Sequence, residues 1–100
     1  MKGYWLILGT EIIDPDAQAE YGRLWAPIAE RYGARIIRGA AAPELKEPGD
    51  KSRVLLVEFA SLSEAKACYD DPAYVEARRF AEQAARRELV IFEGNVLTAS

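Results

Sequence analysis

Three segments of the chain are apolar on both faces of a strand, and this feature limits most strongly how the chain can fold. They are GYWLILGTE at 3–11, RVLLVEFA at 53–60 and ELVIFEG at 88–94. Successive side chains of a strand point to opposite faces, so a sheet with one wet face alternates apolar and polar residues. These segments do not alternate, and helices cover only one face. We therefore expect a second copy of the chain to cover the other face, in a homodimer joined sheet to sheet.

The first of these strands is followed by a helix signal. Asp14-Pro15 suits the N-cap and the first position of a helix. Apolar residues then recur at spacings of three and four, which is typical of a helix with one buried stripe. These residues are Ala17, Tyr21, Leu24, Ile28 and Tyr32. Gly33 follows at the expected C-terminal cap. Pro27 lies inside this helix and predicts that its last turns are kinked or split, because proline lacks a backbone N–H.

A second helix signal is interrupted by a proline, in CYDDPAYVEARR at 68–79. Ser61 and Glu64 stand three residues apart, the capping-box arrangement that starts a helix. Asp71-Pro72 then repeats the pairing of an N-cap residue with a proline, and the residue before a proline avoids the helical region. We therefore predict that one helix ends just before this pair and that another begins there and runs toward Ala85.

The predicted elements give the order β-α-β-β-α-β. A short strand, ARIIRG at 34–39, separates the first helix from the strand at 53–60, and the last strand closes the series. This order predicts an α+β fold of the ferredoxin-like type, with helices on one face of a four-stranded antiparallel sheet. One hundred residues suit one core, so we expect residues 1–100 to form a single domain.

The composition excludes several classes of function. A net charge of −3 shows no basic excess, which argues against nucleic acid as a partner. The chain has no histidine, so Ser-His-Asp and Cys-His catalysis, histidine metal sites and histidine haem ligation are excluded. No phosphate-binding loop or dinucleotide fingerprint is present. We expect neither a metal nor a cofactor.

The location of the protein is predicted from its apolar runs and its single cysteine. Gly9 and Glu11 interrupt the first apolar run, which is too short for a signal peptide or a membrane span. We expect a cytoplasmic protein with no membrane partner. Cys68 forms no internal disulfide, which is compatible with a reducing compartment, and it is interpreted as an inert small hydrophobe.

Glu58 and Arg38 are the candidate polar residues of a site. Glu58 shares its face of the strand at 53–60 with Val54 and Leu56, and a carboxylate in such a place must be paired or have its pKa raised. Arg38, on the neighbouring strand, is its expected partner. One interpretation is a structural ion pair; the other places both residues in a cavity between sheet and helices, where they orient a small polar or anionic ligand.

The predicted helices carry an unusual number of large aromatic residues. They are Tyr21, Trp25, Tyr32, Tyr69 and Tyr74. Their helical spacing favours core packing, but each buried tyrosine hydroxyl needs a partner, so Tyr21, Trp25 and Tyr69 are also candidate walls of a wet pocket. The pairs Arg78-Arg79 and Arg86-Arg87 are assigned to exposed helix positions, where they are interpreted as solubility or dimer-rim charges and not as an anion site.

Several stretches together resemble the DUF1330 family of small bacterial proteins. They are KGYW at 2–5, DP at 14–15, YGARIIRG at 32–39, VEFASLSEAKACYDDPAY at 57–74 and VIFEG at 90–94. The resemblance implies a ferredoxin-like protomer and a homodimer of the dimeric α/β-barrel type. It implies no reaction, because the function of that family is unknown.

Two hypotheses of function follow from the residues and the resemblance. In the first, the protein is a homodimer with a small-molecule pocket between sheet and helices. In the alternative, it is a cofactor-independent enzyme, of the monooxygenase, isomerase or lyase type, acting on a small organic substrate; this rests on analogy of fold. The lack of histidine argues mildly against acid-base catalysis near neutral pH, although Glu58 or a tyrosine is able to substitute.

Overall fold

The computed structural model describes residues 1–97, in which four strands and three helices alternate as predicted. The elements are β1 (Lys2–Gly9), α1 (Pro15–Arg31), β2 (Arg35–Ile37), β3 (Arg53–Phe59), α2 (Leu62–Asp70), α3 (Pro72–Ala84) and β4 (Arg87–Gly94). The predicted fold class is confirmed, with β1, β2 and β3 shorter than expected and β4 longer by one residue. Within this range, no helix has the length and apolar character needed to cross a membrane.

The sheet has the order β2-β3-β1-β4, and each pair of neighbours is antiparallel. Trp5 stands opposite Val57 on one side and Ile91 on the other. The Trp5 indole N–H donates to the Ala65 carbonyl of α2 at 2.9 Å, so this row of side chains faces the helices. Because side chains alternate along a strand, the row of Tyr4 points away from them. We name these two sides the helix face and the outer face.

An aromatic cluster around Trp5 holds the helices on the helix face. The Trp5 ring lies 5.0 Å from Phe59 and from Tyr74, and 5.5 Å from Trp25, between ring centroids. Trp5, Phe59 and Tyr74 are fully buried or nearly so. Tilted and edge-on aromatic pairs at these distances are favourable beyond the area that they bury. The core-packing interpretation of the helix aromatics is therefore confirmed for Tyr74.

Helix α1 begins as predicted and continues through its proline. The Asp14 side chain accepts from the Ala17 N–H at 3.1 Å, and Gly33 follows the helix with a φ of 61°. The predicted split at Pro27 is wrong, since α1 runs to Arg31. Pro27 is exposed, and the buried neighbour Ile28 holds this turn against the core. A proline removes one backbone donor, and packing of the apolar stripe keeps the turn helical.

The predicted break at Asp71 is confirmed. Asp71 has an extended backbone between α2 and α3, with φ −60° and ψ 131°. Its side chain accepts from the Ala73 N–H at 2.8 Å and caps α3. The same carboxylate accepts from Tyr32 and from Arg31, each at 2.7 Å. The extended backbone of Asp71 therefore ends α2, while its carboxylate caps α3 and ties it to the end of α1.

Candidate functional site

A cleft of about 770 Å³ opens between α1 and the helix face of the sheet. Tyr21 and Trp25 of α1 form one wall, with their rings nearly parallel and 6.4 Å apart between centroids. Trp5 and Ile7 of β1 lie on its floor. The start of the connection between β2 and β3 forms one rim, through Arg38, Gly39, Ala41 and Pro43. Of the five predicted site residues, Tyr21, Trp25 and Arg38 line this cleft.

Glu58 does not lie in this cleft. It stands opposite Tyr4 in the sheet and is therefore on the outer face. Its carboxylate accepts from the Tyr4 hydroxyl at 3.0 Å and lies 3.7 Å from the guanidinium of Arg35. The predicted pairing with Arg38 is thus wrong, because Arg35 is the residue opposite Glu58 in the register. Arg38 comes directly after β2, three residues beyond Arg35 and therefore at a position of opposite parity, and it lines the helix-side cleft.

Tyr69 lies beside a different and smaller cleft, of about 320 Å³, at the β4 side of the protein. Arg78 donates to its hydroxyl at 2.8 Å and stacks over its ring at 5.3 Å from the centroid. The other edge of the Tyr69 ring contacts Trp5. Tyr69 therefore joins the aromatic cluster, and the expectation that it shares a cavity with Tyr21 and Trp25 is wrong. The same contacts show that Arg78 is not a freely exposed helix charge.

Two arginines that were not predicted as site residues, Arg53 and Arg87, also line the main cleft. Helix α3 ends at Ala84, so Arg87 is the first residue of β4 and not an exposed helix residue as predicted. Its guanidinium donates to the Tyr74 hydroxyl at 2.8 Å and lies 5.3 Å from the centroid of the Tyr21 ring. The alternation of side chains along β4 indicates that Arg87 points toward the helices, because it places Arg87 on the same face as Leu89 and Ile91.

The hydroxyl of Tyr21, a wall residue of the cleft, lies 3.1 Å from the hydroxyl of Tyr74, which is buried behind it. Burial raises the pKa of Tyr74 well above its usual range, so this hydroxyl stays protonated at neutral pH. Burial, followed by the charge of Arg87 and more weakly by that of Arg38, lowers the pKa of Arg53, while the carboxylate of Glu11 acts in the opposite direction. The cleft therefore combines the hydroxyl of Tyr21 with several cations, of which Arg87 and Arg38 repel Arg53.

The described residues offer little for metal or thiol chemistry. Between residues 1 and 97, no group of three or more cysteine, aspartate or glutamate side chains lies close enough together to hold a metal ion. Cys68 is fully buried in the core. Burial raises the pKa of its thiol to about 12, which matches the interpretation of Cys68 as an inert hydrophobe.

Solved structures with the same fold are similar over nearly the whole chain. A protein of unknown function from Rhodopseudomonas palustris is 26% identical, with a TM-score of 0.66, over 94% of this chain and 82% of that one. A dimeric protein of unknown function with a ferredoxin-like fold, from Bacteroides fragilis, is 14% identical, with a TM-score of 0.59, over 93% and 96% of the two chains.

A third similar structure is that of an enzyme. SnoaB, a cofactor-independent oxygenase from Streptomyces nogalater, is 13% identical, with a TM-score of 0.58, over 93% of this chain and 92% of that one. At this identity the likeness is one of fold. No protein of curated function matches the chain.

The sequence itself matches a family model. The model described as a domain of unknown function, DUF1330, covers residues 2–95. This range contains all four strands and all three helices, and with them the cleft and the outer face. The chain is a member of the DUF1330 family.

Proposed function

We propose that the protein is a homodimer in which each protomer, folded as one domain over residues 1–100, binds a small organic molecule in the cleft between α1 and the sheet. The carrying observation is the cleft itself, whose volume of about 770 Å³ lies in the range of ligand pockets. Its lining is mainly apolar and aromatic, with a few polar groups at one end. This combination supports binding, because apolar walls provide affinity while polar groups fix orientation.

Gly22 offers a way to test the cleft without damaging the fold. It lies in α1, lines the cleft, and a Cβ built there meets nothing within 4 Å. Gly22→Leu improves helix propensity by somewhat less than ~1 kcal/mol, so the variant is expected to stay folded. Its side chain extends into the open space of the cleft. The matched control is Ala26→Leu, at an exposed position of the same helix outside the lining.

The experiment is a fragment screen followed by NMR, with the indole N–H signals of the two tryptophans as reporters. Wild type and Ala26→Leu are expected to show the same fragments shifting the Trp25 signal. Gly22→Leu is expected to lose at least tenfold in affinity at an unchanged or higher melting temperature. No shift of the cleft residues by any fragment, or equal binding by Gly22→Leu, would contradict the proposal.

The homodimer is supported by the outer face. Val54 and Val90 are 46% and 54% exposed there, and Leu6, Leu8, Leu56 and Phe92 are partly exposed around them. A contiguous apolar surface of this kind marks an interface. The dimeric protein from Bacteroides fragilis has the same fold. A second copy that packs its own outer face here buries both surfaces by one two-fold axis.

Sedimentation equilibrium tests the dimer. The wild type is expected at twice the mass of one chain at micromolar concentration. Val54→Lys and Val90→Lys are expected to raise the dimer dissociation constant by at least a hundredfold, because each buries a charge in the interface. Val75→Lys, at a position of α3 that is 44% exposed, is the control and is expected to stay dimeric. A wild-type mass of one chain contradicts the homodimer.

Catalysis without a cofactor is the second candidate function, supported by the fold that the chain shares with SnoaB. Binding is favoured over it by the chemistry of the cleft. Its described lining holds no carboxylate and no lysine, and the chain has no histidine. The described lining therefore offers Tyr21, but no carboxylate, lysine or histidine, as a general base. We further propose a cytoplasmic location, as the single cysteine and the sequence favour.

A further inference from the structure

The arginines of the protein fall into two groups. Of the nine arginines in the chain, six form ion pairs with aspartate or glutamate. The other three, Arg38, Arg53 and Arg87, form no ion pair within 4.0 Å among residues 1–97, and all three line the cleft. The lining contains no aspartate or glutamate. Positive charge is thus left unbalanced in one place.

The register of the sheet explains how two of these arginines meet. Gly9 of β1 stands opposite Arg53 of β3 and also opposite Arg87 of β4. The side chains of both arginines therefore project from the helix face, one on each side of Gly9, which has no side chain. A Cβ at Gly9 would lie 2.8 Å from Nη2 of Arg53, so any larger residue would push this guanidinium aside. Gly9 therefore leaves the space that the Arg53 guanidinium occupies beside the cleft.

Neutral partners hold the two guanidinium groups in place. Arg53 donates from Nε to the carbonyl of Thr10 at 2.7 Å. Arg87 donates from Nη2 to the hydroxyl of Tyr74. A guanidinium has five N–H donors, so each group keeps donors for a ligand while its orientation is fixed. Placing like charges near one another in a partly buried site costs free energy, and a bound anion removes that cost.

From this arrangement we infer that the ligand is an organic anion, namely a carboxylate on a flat aromatic body, with the carboxylate held by Arg53 and Arg87. This inference rests on the proposed function, since it names the chemistry of the molecule in the same cleft. Planar guanidinium groups match the two oxygens of a carboxylate. Trp25 and Tyr21 supply flat apolar surface for the body. Arg38, exposed at the rim, attracts the anion before it binds.

The test compares two molecules of one shape, 2-naphthoate and the neutral 2-naphthamide. In the wild type, the carboxylate is expected to bind at least tenfold more tightly than the amide, about 1.4 kcal/mol. The preference is expected to fall in 500 mM salt, because attraction by the rim is screened. Inorganic phosphate at the same concentration is expected to leave the Trp25 signal unchanged, since it lacks the aromatic body.

Substitutions of the two arginines test whether they cause the preference for the carboxylate over the amide. Arg53→Gln and Arg87→Gln are expected to reduce the ratio of carboxylate to amide affinity to about one while leaving amide binding within threefold of wild type. Retained amide binding shows that the variants fold. Arg79→Gln, which removes an exposed arginine paired with Glu76 on α3, is the control and is expected to keep the full ratio.

The outcomes separate this inference from the proposed function. Equal binding of both molecules by the wild type, or an unchanged ratio in Arg53→Gln and Arg87→Gln, overturns the anion inference and leaves the small-molecule pocket standing. If phosphate competes for the cleft as well as 2-naphthoate does, the inference that the ligand has an aromatic body is overturned. If neither molecule binds and no fragment shifts the Trp25 signal, both the inference and the proposed function are overturned.

Discussion

The two faces of the sheet treat buried charge in opposite ways. On the outer face, Glu58 is closed by two partners, the Tyr4 hydroxyl and the Arg35 guanidinium. On the helix face, Arg53 and Arg87 are held by a carbonyl and a hydroxyl, neither of which carries charge. Both faces combine apolar residues with a few charged ones, so composition does not separate them. The difference is whether each charge finds an opposite one within the protomer.

We propose that this difference separates polar residues that serve the fold from those that bind the ligand. A buried charge is costly unless it is paired and hydrogen-bonded. The protein meets that condition for Glu58 and leaves it unmet for the arginines of the cleft. The sequence pointed to Glu58 as the anomaly, but the structure shows that its partners are already present. The unpaired cations are the anomaly that remains.

The largest expected effect comes from Trp5, the centre of the helix face. Trp5→Ala removes a fully buried ring and its hydrogen bond to Ala65, and is expected to cost about 4 kcal/mol in free energy of unfolding. Trp25→Ala is the control and is expected to cost clearly less, because Trp25 is partly exposed at the cleft. Urea unfolding at fixed protein concentration measures both. Equal costs would show that Trp25 belongs to the core and not to a wall of the cleft.

Gly3 tests how closely a helix approaches the same face. A Cβ at Gly3 would lie 2.4 Å from the carbonyl oxygen of Ser61, where α2 begins. Gly3→Ala is therefore expected to force backbone apart and to cost about 2 kcal/mol, as overpacking does. Gly49→Ala, in a loop where a Cβ meets nothing within 4 Å, is the control. Equal stability of the two variants in urea unfolding would argue against this close contact.

Tyr4→Phe tests how much the hydrogen bond to the Glu58 carboxylate on the outer face contributes to stability. The variant keeps the ring, which stacks on Phe92 at 5.2 Å between centroids. It removes the donor to Glu58, and the loss of a hydrogen bond to a charged group is expected to cost somewhat less than the change at Gly3, ~1.5 kcal/mol. Binding of 2-naphthoate is expected to stay within twofold of wild type, because the cleft is on the other face. If Tyr4→Phe weakens 2-naphthoate binding by as much free energy as it costs in stability, the two faces do not have separate roles.

The smallest effect concerns Asp71, a paired carboxylate that lies on neither face. The hydrogen bond from Tyr32, with those from Ala73 and Arg31, holds the pKa of Asp71 below its ordinary value. A lowered folded-state pKa gives stability that is present above the unfolded pKa, ~4, and is lost as the pH falls through the folded value. Asp71→Asn is therefore expected to melt below wild type at pH 7, with the gap narrowing toward pH 2.5. A gap that is constant with pH, or equal to that of exposed Asp70→Asn, would contradict this assignment.

The fold was predictable because local signals and strand pattern agree. Asp14, Asp71 and Gly33 carry capping chemistry that depends on neighbouring residues alone. Strands that are apolar on both faces are compatible with only a few arrangements of the sheet. Pro27 was misjudged because tertiary packing outweighs a local penalty, and packing is not visible in a single segment.

The site was predictable in part, because it depends on register between distant segments. Tyr21 and Trp25 were predicted from the unusual number of large aromatic residues on the helices, which a sequence displays directly. Arg38 was placed opposite Glu58, and a shift in the pairing of β2 with β3 was enough to put Arg35 there instead. Arg53 and Arg87 meet across Gly9 only once three strands are aligned. The sequence shows which residues of one strand share a face. It does not show which residues of neighbouring strands stand opposite each other.

The connection between β2 and β3 has a consequence for how members of this family diverge. Residues 38–52 contain no helix or strand, yet their first residues form one rim of the cleft. Insertions and replacements in such a segment disturb few backbone hydrogen bonds of the sheet. On the proposed function, selection on this stretch is therefore able to alter which molecules bind in the cleft while the rest of the fold changes slowly. Paralogues within one genome would then differ in their chemistry mainly between β2 and β3, and sorting them by that segment would group them by ligand better than sorting by overall identity.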